Sequence, residues 1–257
     1  MTFDLRGKVV VITGGASGIG RATAARFAEA GAFAVVADVS DASAFTREIG
    51  GMYVRTDVSR EEDVARLFQA AAGVRGAIDA CVNNAGITVD EVPLAETSVE
   101  SLHRAVDVNT VGVFLGLKHA PRYMPKGGVI INTASLAATL SLPGYGAYAA
   151  SKAAVVSLTR TAALELGPLG IRVNAVCPAS VDTPMLRGQE HGAEEAAIVR
   201  QAAPLGMIAQ PEHIAALFHF LAADDCPVLT GQAFNVDAGL TAGTSAGTIE
   251  ALVARGV

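Results

Sequence analysis

The sequence predicts an α/β fold: one doubly wound domain over residues 1–257, with a seven-stranded parallel sheet and helices on both faces. Three observations carry this reading. Seven short runs rich in β-branched residues alternate with longer, Ala-rich helical stretches along the 257-residue chain. Several of those runs are apolar at every position, as strands buried on both faces are. A glycine cluster follows the first run directly and opens the first helical stretch, which a closed eight-stranded barrel does not require.

The elements follow in order. The predicted strands are "KVVVIT" (8–13), "AFAVVAD" (32–38), "MYVRTD" (52–57), "IDACVNN" (78–84), "GVIINTAS" (128–135), "IRVNAVCP" (171–178) and "AFNVDAG" (233–239). Each is bounded by Gly, Asp, Asn or Pro, the residues that end strands. Helices are expected near 18–30, 41–49, 60–73, 98–124, 147–167, 187–202 and 211–222. No Pro/Ser-rich linker divides the chain and no repeat of 20–50 residues is visible. A substrate lid is expected at about 184–208 and a tail at about 240–257, where "TIEALVARGV" can form a short amphipathic helix. That tail is expected to pack on a neighbouring subunit.

Composition excludes several classes of function. The net charge is −6 and no basic run exists, so nucleic acid is not an expected partner. No apolar run approaches the roughly 20 residues that span a bilayer, and the N-terminus lacks the order of a signal peptide. A cytoplasmic location is the expectation. With 51% hydrophobic residues, apolar surface is expected between subunits, in a homo-oligomer with a tetramer favoured. Cys81, Cys177 and Cys226 are far apart and lack CxxC spacing, so no metal site and no disulfide framework is expected. Cys81 and Cys177 read as inert buried thiols.

The first turn reads as a phosphate cradle. After "VVVIT" comes "GGASGIGRATAARFAEAGA". Glycines there allow a tight turn, let backbone approach a pyrophosphate, and seat the helix against the sheet. The helix N-terminus then offers free N–H groups and a positive dipole end. The spacing is GxxxGxG and not GxGxxG, and an ordinary strand-to-helix turn can carry such a cluster. Gly14, Ser17, Gly18, Ile19 and Gly20 are the candidate residues. Asp38 ends the second strand, eighteen positions beyond Gly20. A carboxylate there accepts from ribose hydroxyls and repels a 2′-phosphate. No Arg or Lys occupies the glycine turn or the positions straight after Asp38, so NAD is expected over NADP. Asp57 is a candidate for the adenine amino group. In "NNAG" (83–86), Asn84, Ala85 and Gly86 either brace the turn or touch the cofactor's ribose.

Together these motifs resemble the short-chain dehydrogenase/reductase family, in its single-domain branch. The matching residues are "TGGASGIG" (13–20), Asp38, "DV" (57–58), "NNAG" (83–86), "VN" (108–109), "NTAS" (132–135), "YAASK" (148–152), "IRVNAVCP" (171–178) and "DTPM" (182–185). The resemblance covers residues 6 to about 240. It implies a Rossmann-type fold, a nicotinamide cofactor, and a catalytic group of Asn109, Ser135, Tyr148 and Lys152. It also implies cofactor contacts at Val58, Pro178, Val181 and Thr183, and a helix bent at Asn109, which holds a water linking Lys152 to solvent.

Physical chemistry supports that group. Tyr148 and Lys152 are four apart, so on a helix they share one face. A free phenol titrates near about 10, too high for a base at neutral pH. A nearby ammonium and a positive nicotinamide ring both favour phenolate, so the Tyr148 pKa is expected to be lowered. Tyr148 then takes the hydroxyl proton of an alcohol while hydride leaves for the nicotinamide, and Ser135 donates a hydrogen bond to the substrate oxygen. Lys152 also binds the nicotinamide ribose.

The expected function is NAD-dependent interconversion of a secondary alcohol, such as a small polyol, cyclic alcohol or sugar-like compound, and its ketone. Leu142, Tyr145 and Met185 are candidate substrate contacts beside Ser135 and Tyr148, in a partly apolar pocket. The charged lid segment "RGQEHGAEEAAIVRQ" reads mostly as solvated surface, His191 included. Three family-typical positions differ: Ala179 stands where glycine is usual after Pro178, and Met207 and Ala209 stand where Arg and Gly are common. "GTSAG" (243–247) matches the GxSxG nucleophile elbow, but no strand leads into it and the last histidine, His219, precedes it. The competing readings are an NADPH-dependent ketoacyl reductase of the same family and a non-enzymatic nucleotide-sensing scaffold.

Overall fold

The seven apolar runs become seven parallel strands: β1 Val9–Thr13, β2 Phe33–Asp38, β3 Met52–Arg55, β4 Ala80–Asn83, β5 Val129–Thr133, β6 Arg172–Pro178 and β7 Ala233–Val236. The computed structural model describes residues 3–254 and residue 256. The helices are α1 Gly18–Glu29, α2 Ser43–Glu48, α3 Glu61–Arg75, α4 Val99–Val106, α5 Gly112–His119, α6 Gly146–Leu166, α7 Pro184–Arg187, α8 Gly192–Ala202, α9 Pro211–Ala222 and α10 Ala246–Ala254. The sheet order is β3-β2-β1-β4-β5-β6-β7. The order reverses between β1 and β4, which opens a crevice at the carboxyl ends of those strands. Among the described residues, no helix is long and apolar enough to cross a membrane.

Continuous apolarity in the strands reflects two buried faces. Val10 and Ile12 of β1 pack with Phe27 of α1 and with Ile214, Phe218 and Leu221 of α9. Val9 and Val11 point the other way, onto Leu67 and Phe68 of α3, Leu115 of α5 and Ala162 of α6. The alternation of side chains along a strand sends every second residue to each layer.

Two expected helices are broken, each for a local reason. The stretch expected at 98–124 is α4, a π-helical turn Asp107–Val111, α5 and a 3₁₀ turn Ala120–Tyr123. Inserted turns of this kind let one side chain face inward out of register; here it is Asn109, which is fully buried. Pro121 enters the final 3₁₀ turn, where its missing N–H is tolerated. The stretch expected at 187–202 is split into α7 and α8. Gly192 starts α8 with its Cα so close to the Leu186 carbonyl that a Cβ would lie 1.9 Å from that oxygen. The lid is closed at its base by a parallel bridge between Val181 and Ala209, with Asp182 N–H donating to the Ala209 carbonyl at 2.9 Å.

α6 is keyed to the sheet by a buried polar chain. Asn83 Nδ2 donates to Asn132 Oδ1 at 2.9 Å. Asn132 Nδ2 donates to Thr159 Oγ1 at 2.9 Å, and Thr159 Oγ1 donates to the Val155 carbonyl at 2.8 Å. These bonds fix the depth at which α6 lies against β4 and β5. The tail helix α10 lies against α8 of its own chain. Ser245 caps it, accepting from Thr248 N–H at 3.2 Å, so the serine of "GTSAG" is a helix cap. Cys81 and Cys177 are buried, and burial raises both thiol pKa values.

Two glycine substitutions are expected to act in opposite directions. A Cβ on Gly20 would lie 2.1 Å from the Gly14 carbonyl oxygen. Gly20→Ala therefore lowers stability by about 1 to 3 kcal/mol and the Tm by at least about 3 °C in urea-free thermal unfolding. Gly73 is exposed within α3 and a Cβ there meets nothing within 4 Å. Gly73→Ala raises stability by roughly 0.5 to 1 kcal/mol through helix propensity.

Candidate functional site

The crevice is laced across its mouth by Thr13, the last residue of β1. Its Oγ1 accepts the N–H groups of Asn84 and Ala85, each at 3.0 Å. The Asn84 side chain returns the contact, donating to the Thr13 carbonyl at 3.1 Å and the Gly14 carbonyl at 3.3 Å. Thr133 Oγ1 donates to Asn84 Oδ1 at 3.3 Å. Asn84 thus braces the turn with its whole amide.

That brace draws the glycine turn close. Gly14 has φ +66°, and a Cβ there would lie 2.8 Å from Ala85 Cα. Gly18, at φ +51°, faces Thr183, whose methyl a Cβ would meet at 3.2 Å. Ser17 precedes α1 in an extended conformation, and its side chain makes no capping bond. The first turn of α1, at Gly18 and Ile19, therefore opens on a cavity of about 990 Å³; Gly20 does not line it and is packed against the Gly14 carbonyl. Bare backbone and a helix N-terminus form a cradle that side chains would fill, which fits a dinucleotide's pyrophosphate.

Asp38, Asp57 and Val58 line the same cavity at the β2–β3 end. The Asp38 carboxylate accepts from Ala16 N–H at 3.0 Å and Ser40 N–H at 2.9 Å, which holds it rigidly beside the glycine turn. Asp57 Oδ1 accepts from the N–H and hydroxyl of Ser59 at 3.0 and 2.7 Å. Arg21, the cation just beyond the glycine turn, stacks over Phe45 at 3.9 Å from the ring centroid.

The other half of the cavity gathers Ser135, Tyr148, Lys152, Pro178, Val181 and Thr183, with Ala85 and Gly86 between. Lys152 is 3% exposed. Its Nζ donates to the Thr133 carbonyl at 2.9 Å and stands 5.8 Å from the Tyr148 ring centroid. Gly86 passes so close that a Cβ would meet Lys152 Nζ at 3.2 Å. Asn109 does not line the cavity. Its Oδ1 accepts from Ile87 N–H at 2.8 Å, and its Nδ2 donates to the Ile87 carbonyl and to Ser151 Oγ, both at 3.0 Å. It ties the loop after Gly86 to α6. Ser135 Oγ accepts from Ala137 N–H at 3.1 Å, starting a 3₁₀ turn. Thr183 Oγ1 accepts from Leu186 N–H at 3.3 Å and starts α7.

One electrostatic expectation is corrected. The Tyr148 phenol is held above its ordinary pKa, not below it. Burial is the main cause, the charge of Glu195 adds to it, and hydrogen bonding by Ser135 opposes it. The ammonium of Lys152 does not reverse this, because burial disfavours its own charge and pushes it down to about 8. The cost of taking the phenolate out of water is what prevails here.

The lid is also corrected. Leu142 and Met185 line the cavity as expected and are about half exposed. Tyr145 lines it too, edge-on to Tyr148 with ring centroids 6.4 Å apart. Its hydroxyl donates to Glu195 Oε2 at 2.8 Å, and Ser180 Oγ bonds the other oxygen of that carboxylate. Glu195 therefore turns inward from α8 and is not solvated surface. Helical spacing held the clue: Glu195, Val199 and Ala202 share one face of α8, and all three line the cavity. His191 is exposed, as expected, and its ring lies 2.8 Å from Glu194. Thr13 and Thr133, which lie inside quoted motifs but were not singled out, and Ser180, which lies in none, are further site residues.

A family model described as enoyl-(acyl carrier protein) reductase matches residues 14–241. The 2,5-dichloro-2,5-cyclohexadiene-1,4-diol dehydrogenase of Sphingobium indicum is 39% identical over 247 residues, 93% of this chain and 99% of that protein. The cis-4-hydroxycyclohexanecarboxylate dehydrogenase of Sinomonas cyclohexanicum is 40% identical over 243 residues, 91% of this chain and 97% of that one. The crystal structure of levodione reductase superimposes with a TM-score of 0.89 at 33% identity, covering 93% of this chain and 99% of that chain.

The Lys152 environment has a consequence for stability. Its folded-state pKa, about 8, lies below its ordinary value of 10.5. Between those values the unfolded chain holds the proton and the folded protein does not, so this residue makes stability rise with pH across that window. The full increment is about 3 kcal/mol. Urea unfolding at pH 7.5, 9 and 10.5 should show it as a steeper pH dependence in the wild type than in Lys152→Met. Equal slopes would contradict it.

Proposed function

The chain belongs to the short-chain dehydrogenase/reductase family of oxidoreductases, and we propose that it interconverts a secondary alcohol and the matching ketone with NAD. The observation that carries this reading is one cavity lined by both the glycine turn with Asp38 and the Ser135, Tyr148 and Lys152 side chains.

In this reading Gly14, Ser17, Gly18 and Ile19 hold the pyrophosphate on backbone N–H groups, with Gly20 packed against the Gly14 carbonyl. Asp38 accepts from the adenosine ribose and disfavours a 2′-phosphate, while Asp57 and Val58 border the adenine. Ala85 and Gly86, with Pro178, Val181 and Thr183, flank the nicotinamide half; Asn84 braces the wall behind them. Bound there, NAD⁺ supplies the hydride acceptor.

The protein's own part is positioning and proton transfer. Ser135 donates to the substrate oxygen and orients it toward Tyr148. Tyr148 takes the hydroxyl proton in oxidation and returns it in reduction. Burial favours the phenol, the form that gives a proton to a ketone oxygen; oxidation uses the phenolate, which the Lys152 ammonium and a positive nicotinamide ring would favour. Lys152, held on the Thr133 carbonyl, keeps a cation one helical turn from the phenol and serves the nicotinamide ribose. Asn109 fixes the Gly86–Ile87 loop against α6 and, as the family resemblance implies, holds a water that links Lys152 to solvent.

A cyclic alcohol is the favoured substrate among small polyols and sugar-like compounds. Leu142, Tyr145 and Met185 give an apolar wall, and two relatives are named for six-membered cyclic alcohols. The ketoacyl reductase reading has less support, since Asp38 is set against NADPH. We also read the protein as a cytoplasmic homotetramer. Leu94, Phe114 and Leu164 expose large apolar side chains at 76, 47 and 80%, as interfaces do.

Assays of NAD⁺ and NADP⁺ against cyclic alcohols should give kcat/KM at least about tenfold higher with NAD⁺, a preference worth about 1.4 kcal/mol. Equal rates would contradict the role of Asp38. Tyr148→Phe should lose at least about 100-fold in kcat while NADH binding, followed by fluorescence, stays close to wild type. Full turnover by that variant would overturn the assignment of the proton donor.

A further inference from the structure

Resting on the alcohol-dehydrogenase reading, we propose that Glu195 determines specificity: it accepts a hydrogen bond from a second hydroxyl of a neutral cyclic diol and excludes substrates that carry a carboxylate. The reacting oxygen must lie beside Tyr148 and Ser135. Tyr145 stands next to that place, edge-on to Tyr148, and its hydroxyl holds Glu195 Oε2 at 2.8 Å. The Glu195 carboxylate thus borders the volume into which the rest of the substrate extends.

Two features give the carboxylate this role. Its oxygens each take one protein donor, from Tyr145 and from Ser180, but a carboxylate offers about four lone-pair sites. Each oxygen can accept once more, and a substrate hydroxyl is the complementary donor. The second feature is charge. Glu91, Glu194 and Glu195 all line the cavity, and among the described residues no arginine does. The cations there are already engaged: Lys152 on the Thr133 carbonyl and His191 with Glu194. Among the described residues a substrate carboxylate would face Glu195 with no free cation opposite, and like charges juxtaposed in a partly desolvated site repel. A neutral diol meets no such penalty. The two relatives named above divide along this line, one named for a diol and one for a hydroxy acid; Glu195 assigns this chain to the diol side.

The experiment compares kcat/KM of wild type and Glu195→Gln with NAD⁺ and NADP⁺ on cyclohexanol, 1,4-cyclohexanediol and 4-hydroxycyclohexanecarboxylate. The wild type should prefer the diol to the carboxylate by at least about tenfold, as a hydrogen bond to a charged group implies. Glu195→Gln should lower the diol value and raise the carboxylate value, closing that gap. A wild type that oxidises the carboxylate as well as the diol overturns the proposal, and this needs no variant to fold. So does a variant that shifts all three substrates by one common factor, the mark of a residue that only latches the lid. Turnover of cyclohexanol with no diol preference removes the role of Glu195 and leaves the dehydrogenase reading intact. Turnover of none of the three by the wild type removes both.

Discussion

Thr13 holds the two halves of the sheet edge together, and the site depends on that bond. β1 and β4 pair as far as Ile12 and Val82; beyond that pairing the connections leave in opposite directions, and side chains must fix how far apart the loops stand. One hydroxyl accepting two N–H groups from the chain after β4 sets that distance. The side chain of Asn84 then returns two bonds to the β1 end. The resulting approach leaves no room for a Cβ on Gly14. Glycine there follows from the packing, and the bare backbone it leaves is what a pyrophosphate can meet. The β1–β3 half supplies the turn and Asp38; the β4–β6 half supplies Ser135, Tyr148 and Lys152.

The second half has its own depth gauge. The Asn83, Asn132 and Thr159 chain keys α6 to β4 and β5, and Asn109 ties the loop after Gly86 to Ser151 on the same helix. Tyr148 and Lys152 are carried on a helix whose height above the sheet is set by buried hydrogen bonds. Such bonds are costly to leave unmade, so displacement of α6 is resisted. This preorganisation matters more than any one contact, because a proton donor must stand within hydrogen-bond reach of the reacting oxygen.

What was legible in the sequence follows from locality. All seven strands were readable: the inner five because burial on two faces leaves largely apolar runs, and the partly exposed edge strands β3 and β7 through their β-formers and the turn residues that bound them. The glycine turn, Asp38 and the Tyr148–Lys152 pair were readable for the same reason: each is a short-range pattern. The bend at Asn109 came from the family resemblance and not from the local pattern of 98–124, and the break at Gly192 was not readable, since it answers a carbonyl met only after the chain turns. The pKa of Tyr148 was misjudged because spacing reports the ammonium and says nothing of the burial that outweighs it. Glu195 was missed because a charged residue on a short helix reads as solvated. Only the fold shows that its partners, Tyr145 and Ser180, come from two other segments.

In the proposed reaction hydride leaves the carbinol carbon while a side chain handles only the hydroxyl proton. The direct measurement is oxidation of a cyclic alcohol deuterated at that carbon, with the reduced cofactor examined by proton NMR. One deuterium at the nicotinamide C4 for each ketone formed is the predicted result. Ketone formed with the deuterium released to water would contradict it.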